Sequence, residues 1–76
     1  MATDLHKVVR DRIKSLARER GYSVNRLADF AGMSGGYLST VLRGQKSPTL
    51  RTLEKIADAL EIDPLDLFRT SPPPKS

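Results

Sequence analysis

Val24-Asn25-Arg26-Leu27-Ala28-Asp29-Phe30-Ala31-Gly32-Met33-Ser34-Gly35-Gly36-Tyr37-Leu38-Ser39-Thr40-Val41-Leu42-Arg43 decides how this chain folds. Ser23, just before it, has the side-chain oxygen that caps a helix start. Val24, Leu27, Ala28 and Ala31 then fall on one face at ~100° per residue. Gly32 stops that helix, because the turn needs a positive φ that a residue without Cβ adopts freely. Ser34 caps a second helix carrying Tyr37, Leu38, Val41 and Leu42, and Gly44 ends it. Two helices joined by so short a turn must cross steeply. Ala28 supplies a small residue where they approach, and Leu27, Ala31, Met33, Leu38 and Val41 seal the angle. The spacing therefore predicts a helix-turn-helix over 24–43 whose second helix protrudes as a rod. A rod of that width fits the major groove of B-form DNA.

Working outward, Leu5, Val9, Ile13 and Leu16 predict a first helix from about Asp4 to Arg20, capped by Thr3 or Asp4 and ended by Gly21. Lys7, Arg10, Lys14 and Arg18 lie on its opposite stripe, as a solvated face or as a secondary phosphate-contacting surface. Downstream, Pro48 forbids a helix through Gln45-Lys46-Ser47-Pro48. A fourth helix starts at a cap near Thr49 and buries Leu50, Leu53, Ile56, Ala57 and Leu60. A fifth is announced by Asp63-Pro64-Leu65-Asp66, with Asp63 as cap, Pro64 at the first helical position and Asp66 completing a box-like arrangement. Leu67 and Phe68 close its apolar pattern. No segment alternates apolar and polar residues for long. The expectation is an all-α, five-helix bundle over residues 1–69, followed by a disordered proline-rich tail over 70–76.

Composition narrows the function. A chain of 76 residues makes one domain with a modest core. Lys+Arg 13 against Asp+Glu 9 leaves a net charge of +4, compatible with a polyanionic partner. With no cysteine there is no disulfide and no thiolate metal site. His6, the single histidine, reads as an ordinary surface residue. No nucleophile has a base beside it, and no glycine-rich loop follows a strand. Asp4, Asp11, Asp29, Asp58, Asp63 and Asp66 are explained as caps or solvated residues. The chain is thus expected to be no enzyme and to need no cofactor. No apolar run approaches the roughly 20 residues that cross a bilayer, and Met1 to Asp4 form no signal region. A cytoplasmic chain without membrane attachment is expected, with no second domain to hold an effector.

Leu27-Ala28, Gly32-Met33-Ser34, Leu38-Ser39, Arg43-Gly44, Pro48 and Leu53-Ile56-Ala57-Leu60, in this order and spacing, resemble the phage Cro and repressor type of helix-turn-helix domain, the Xre family. The likeness runs from Val9 to Phe68. Small stand-alone members of that family include phage repressors, antitoxins and restriction–modification controllers, and they generally bind operator DNA as two-fold homodimers. The resemblance therefore implies a transcriptional regulator, a repressor or controller, on double-stranded palindromic DNA. The alternative it leaves is an antitoxin or protein-interaction adaptor with little DNA readout and a protein partner that the sequence does not name.

The resemblance also assigns roles. Ser23 and Ser34 would start the two motif helices at phosphates, where free N–H groups attract anions. Gly35, Gly36, Tyr37 and Thr40 would occupy base-reading positions. Arg43, Gln45 and Lys46 would follow the reading helix at the backbone. Ile62, Leu65, Leu67 and Phe68 would form the dimer seam. Three departures stand out. Val24 replaces a glutamine that many members carry at the start of the second helix. Ala17 and Leu42 replace an arginine–glutamate pair, so they are expected to pack together; an ion pair replaced as a unit need cost nothing. Gly35-Gly36 leaves two reading positions bare, at about 1 kcal/mol of helix propensity each. That is either a tolerated weak helix start or room for backbone N–H groups to approach DNA. Direct readout then rests on Tyr37 and Thr40, helped by Arg43 or Lys46, and DNA shape contributes.

Overall fold

The computed structural model describes residues 4–69. Residues 70–76, the expected tail, and Thr3, the alternative first cap, lie outside that range. The chain forms four α-helices: α1 (Leu5–Glu19), α2 (Val24–Ala31), α3 (Gly35–Leu42) and α4 (Leu50–Leu60). A 3-10 helix follows over Pro64–Phe68. No strand occurs among the described residues.

Each helix starts where a short polar side chain can take an orphan amide. Asp4 accepts from Lys7 N (3.2 Å), Ser23 from Arg26 N (3.1 Å), Ser34 from Tyr37 N (3.0 Å) and Thr49 from Thr52 N (3.1 Å). Gly32 ends α2 in the left-handed conformation at φ 73°, which fixes the short turn into α3. At the end of α4 the same conformation falls on Glu61, at φ 59°, a residue with a Cβ.

The core is one cluster. It gathers Val9, Ile13, Leu16 and Ala17 of α1, Leu27, Ala28 and Ala31 of α2, and Leu38 and Leu42 of α3; Leu53, Ile56, Ala57 and Leu60 of α4 and Leu67 complete it. α2 packs on both α3 and α4, while α1 runs across the 3-10 helix. Ala17 and Leu42, expected to pack together, are both buried in this cluster.

Three expectations change. The fifth helix is not an α-helix. Asp66 N donates to Asp63 O (2.8 Å) and Arg69 N to Asp66 O (3.3 Å), bonds that close three-residue turns. Five residues are too few to offset the nucleation of an α-helix, and packing holds the tighter form instead. Asp63 does cap it, accepting from Leu65 N (2.9 Å), but the Asp66 carboxylate faces Arg69 Nε (3.5 Å) instead of completing a box. Arg12 Nε donates to Asp66 O (3.2 Å) and ties the segment to α1.

Leu67 is fully buried in the core of the single chain. Its side chain is already covered, so it has no surface to give to a second copy, and its place in the expected dimer seam is corrected. Leu5 and Leu50 were expected in the core as the first members of their stripes. They are 51% and 75% exposed, because each sits at a helix start that overhangs the bundle end.

Candidate nucleic-acid interface

The N-terminal ends of α2 and α3 lie against each other. A Cβ built on Gly35, the first residue of α3, would overlap the side chain of Asn25, the second residue of α2. The bare position is therefore what lets the two ends meet. A Cβ at Gly36 would have nothing within 4 Å. The two glycines thus differ: Gly35 is closed by α2, and Gly36 faces open space. Each end carries a capping serine and further amides directed outward along its helix, so two partial positive charges converge on one face. Sequence reasoning missed Asn25. Its side chain is exposed and off the apolar stripe, and its partner lies ten positions on.

The hydroxyls of α3 are engaged within the protein. Thr40 Oγ1 donates to the Gly36 carbonyl (2.8 Å). Tyr37 Oη lies 3.2 Å from Thr52 Oγ1, which in turn lies 3.0 Å from Thr49 Oγ1. Tyr37 was expected at a base-reading position; its hydroxyl partner is Thr52 of α4. Thr52 was missed because it is a polar residue buried within the apolar stripe of α4. Arg43 donates through a terminal nitrogen to Ser39 Oγ (2.9 Å) and stays exposed. Gln45 and Lys46 are exposed too, and Lys46 Nζ sits 5.9 Å from the Tyr37 ring centre, within cation–π range.

The basic stripe of α1 divides into three environments. Lys7 Nζ bonds Asp11 Oδ2 (2.8 Å), an exposed pair. That hydrogen bond is the main reason the Asp11 carboxyl lies below its ordinary range, and the charges of Lys14 and Arg10 add to it. The Arg10 guanidinium packs over Gly44, 3.1 Å from where a Cβ would stand. Lys14 and Arg18 instead border a shallow groove with Ser23 and Val24 at the start of α2, floored by Ala17, Leu27 and Leu42. His6 is exposed, with Nδ1 3.3 Å from Ser47 Oγ.

At another part of the bundle Leu5, Val9, Pro48, Leu50, Leu53 and Phe68 line an apolar groove. Phe68 is 38% and Leu65 67% exposed. Ile62 is half-buried against the core.

The helix-turn-helix model HTH_3 matches residues 13–67, most of the chain. The chain belongs to the HTH_3 helix-turn-helix family. This HTH_3 chain is 43% identical over 61 residues to the HTH-type transcriptional regulator SutR of Escherichia coli, a match covering 80% of this chain and 33% of SutR. It is 38% identical over 56 residues to the HTH-type transcriptional regulator SinR of Bacillus subtilis, covering 72% of this chain and 50% of SinR. The chain thus spans a third to a half of the length of these relatives. Among solved structures, the restriction–modification controller protein C.AhdI of Aeromonas hydrophila superposes with a TM-score of 0.78 at 37% identity, covering 86% of this chain and 97% of that one. The family is one of transcriptional regulators, not of enzymes. No helix among the described residues is long and apolar enough to cross a membrane.

Proposed function

We propose that this HTH_3 chain is a sequence-specific transcriptional regulator, a repressor or controller, that sets α3 into the major groove of an operator. The observation that carries the reading is the convergence of the α2 and α3 N-termini through Asn25 and Gly35. Two helix ends with outward amides, side by side, suit neighbouring phosphates of one strand at the edge of a groove. In this reading Ser23 and Ser34 set the amides of their helices, Gly36 admits close approach of the DNA, and Arg43, Gln45 and Lys46 follow the backbone beyond α3. Thr40, its hydroxyl turned onto its own helix, contributes a methyl group suited to thymine. The chain acts in the cytoplasm as a folded unit over residues 1–69 and without a cofactor.

The regulator binds as a homodimer on a palindromic site, with the two α3 helices about 34 Å apart. The seam uses Leu65 and Phe68, joined by Leu5 and Leu50, with Ile62 supporting it from the half-buried side. The exposure of Leu65 and the apolar groove that Leu5, Leu50 and Phe68 line support this placement.

The test is selection of bound duplexes from random DNA, followed by affinity against salt. The expected result is one palindromic preference and binding that weakens steeply as salt rises. Arg43→Ala and Lys46→Ala should each lower the salt slope by about 1 without changing the preferred site. If no site is enriched and binding is insensitive to salt, the DNA reading fails and the adaptor or antitoxin reading takes its place.

A further inference from the structure

We propose that Tyr37 serves DNA recognition as a positioning residue, acting through Thr52 to lock α3 onto the start of α4, and not as a reader of bases. The inference rests on the proposed placement of α3 in the major groove.

α3 is the helix most in need of a brace. It has eight residues, and its first two are the poor helix formers Gly35 and Gly36. It packs mainly on α2, with a lesser contact to α1, and α4 is not among its main packing partners. The Tyr37 hydroxyl supplies a side-chain link to α4. Tyr37 Oη meets Thr52 Oγ1 at 3.2 Å, and Thr52 Oγ1 meets Thr49 Oγ1 at 3.0 Å. Thr49 Oγ1 also accepts from Thr52 N at 3.1 Å, so the chain of hydroxyls ends on the cap that starts α4. Thr52 is buried, which makes loss of its partner costly, since no water readily replaces it. The phenol is the most acidic of the three hydroxyls. It is therefore the natural donor to Thr52, which leaves Thr52 free to donate to Thr49. Hydroxyls linked in series polarise one another, so the three act as a unit.

The Tyr37 ring extends the brace to the following loop. Lys46 Nζ lies 5.9 Å from its centre. One side chain thus sets the tilt of α3 through its hydroxyl and the position of a phosphate-facing cation through its ring. Neither task involves a base edge.

The experiment uses the full chain with Tyr37→Phe, Thr52→Val, the double variant and Thr52→Ser. Tyr37→Phe keeps the ring and removes only the hydroxyl, and Thr52→Val keeps the shape. Affinity is measured on the site selected by the parent chain, and site selection is repeated with each variant. Amide exchange of Leu38 to Leu42 is followed in the free protein. Each single change should weaken binding about fivefold, the scale of one hydrogen bond, for every sequence alike and with the preferred bases unchanged. The double variant should be no weaker than either single one. Thr52→Ser, which keeps the hydroxyl, should retain the parent's affinity and preference. Exchange across α3 should quicken equally in both single variants and no further in the double.

The proposal is overturned if Tyr37→Phe relaxes the preference at one base pair while Thr52→Val does not, or if the two losses multiply. Unchanged amide exchange in α3 overturns it as well. If the parent chain selects no DNA, the proposed function has failed, and the exchange measurement alone still decides whether Tyr37 and Thr52 act as one brace.

Discussion

The face built on α3 and the apolar end around Leu50 solve opposite problems. On the α3 face, polar side chains are numerous and most are already engaged: Ser34 with an amide, Tyr37 with Thr52, Thr40 with Gly36, Arg43 with Ser39. Around the Leu50 groove, apolar side chains remain uncovered, with Leu50 at 75% and Leu5 at 51% exposure. The first surface is ordered before any partner arrives, so binding need not immobilise it and loses less entropy. The second keeps apolar area in water, a standing cost that the proposed second copy would relieve. If the proposed reading holds, the contrast teaches that rigidity belongs where geometry is read, and exposed apolar surface belongs where copies join.

The strongest way to break the contrast is to empty the core beneath the apolar end. Leu67→Ala removes a fully buried side chain and should lower unfolding free energy by about 2–5 kcal/mol in urea titrations. If Leu67 were mainly an interface residue, the loss would instead grow with protein concentration.

A milder change should separate the two regions. Leu50→Lys together with Leu65→Lys places charges on well-exposed positions and should leave monomer stability within about 0.5 kcal/mol. Sedimentation should then show monomer where the parent chain is expected to form the proposed dimer, and operator affinity should drop while the preferred half-site stays the same. A variant that still sediments as the parent would move the seam elsewhere.

The smallest effect is expected where α4 turns away from the α3 face. Glu61 holds φ 59°, a conformation that an L-residue adopts at about 1 kcal/mol or more. Glu61→Gly should stabilise the fold by about 0.5 kcal/mol, after the extra freedom of glycine in the unfolded chain is set against it. A melting temperature higher by a few degrees would register it.

How much of this was legible beforehand follows the range of the interactions. Ser23, Ser34, Thr49 and Asp63 cap their elements as read, because a cap acts over two or three residues. Gly32 ends α2 for the same local reason. The buried stripe of α3 and that of α2 from Leu27 onward follow from pattern, while Val24, read on the same face, is 39% exposed; the joint burial of Ala17 and Leu42 agrees with what the family resemblance implies. What stayed hidden depends on distance along the chain. Tyr37 and Thr52 are fifteen residues apart, and nothing in either neighbourhood marks the other. The exposure of Leu5 and Leu50 depends on where the bundle stops, which periodicity does not encode. Glu61 in the left-handed region is a place where α4 ends without the glycine that announces such a turn. At Pro64–Phe68 the apolar and capping signals were right, while the hydrogen-bond pattern was decided by the shortness of the segment.

The unlike surroundings of Gly35 and Gly36 bear on how such a regulator could acquire a new operator. At Gly35 any side chain must first displace Asn25, so change there disturbs the motif before it alters what is bound. At Gly36 a Cβ meets nothing within 4 Å, and any replacement except proline is also a better helix former than glycine. If α3 enters the groove as proposed, residue 36 is a vacant socket on that helix, where a single codon change would add a new recognition group while the fold gains stability. Divergence of binding preference among copies of this domain is most accessible through that one position.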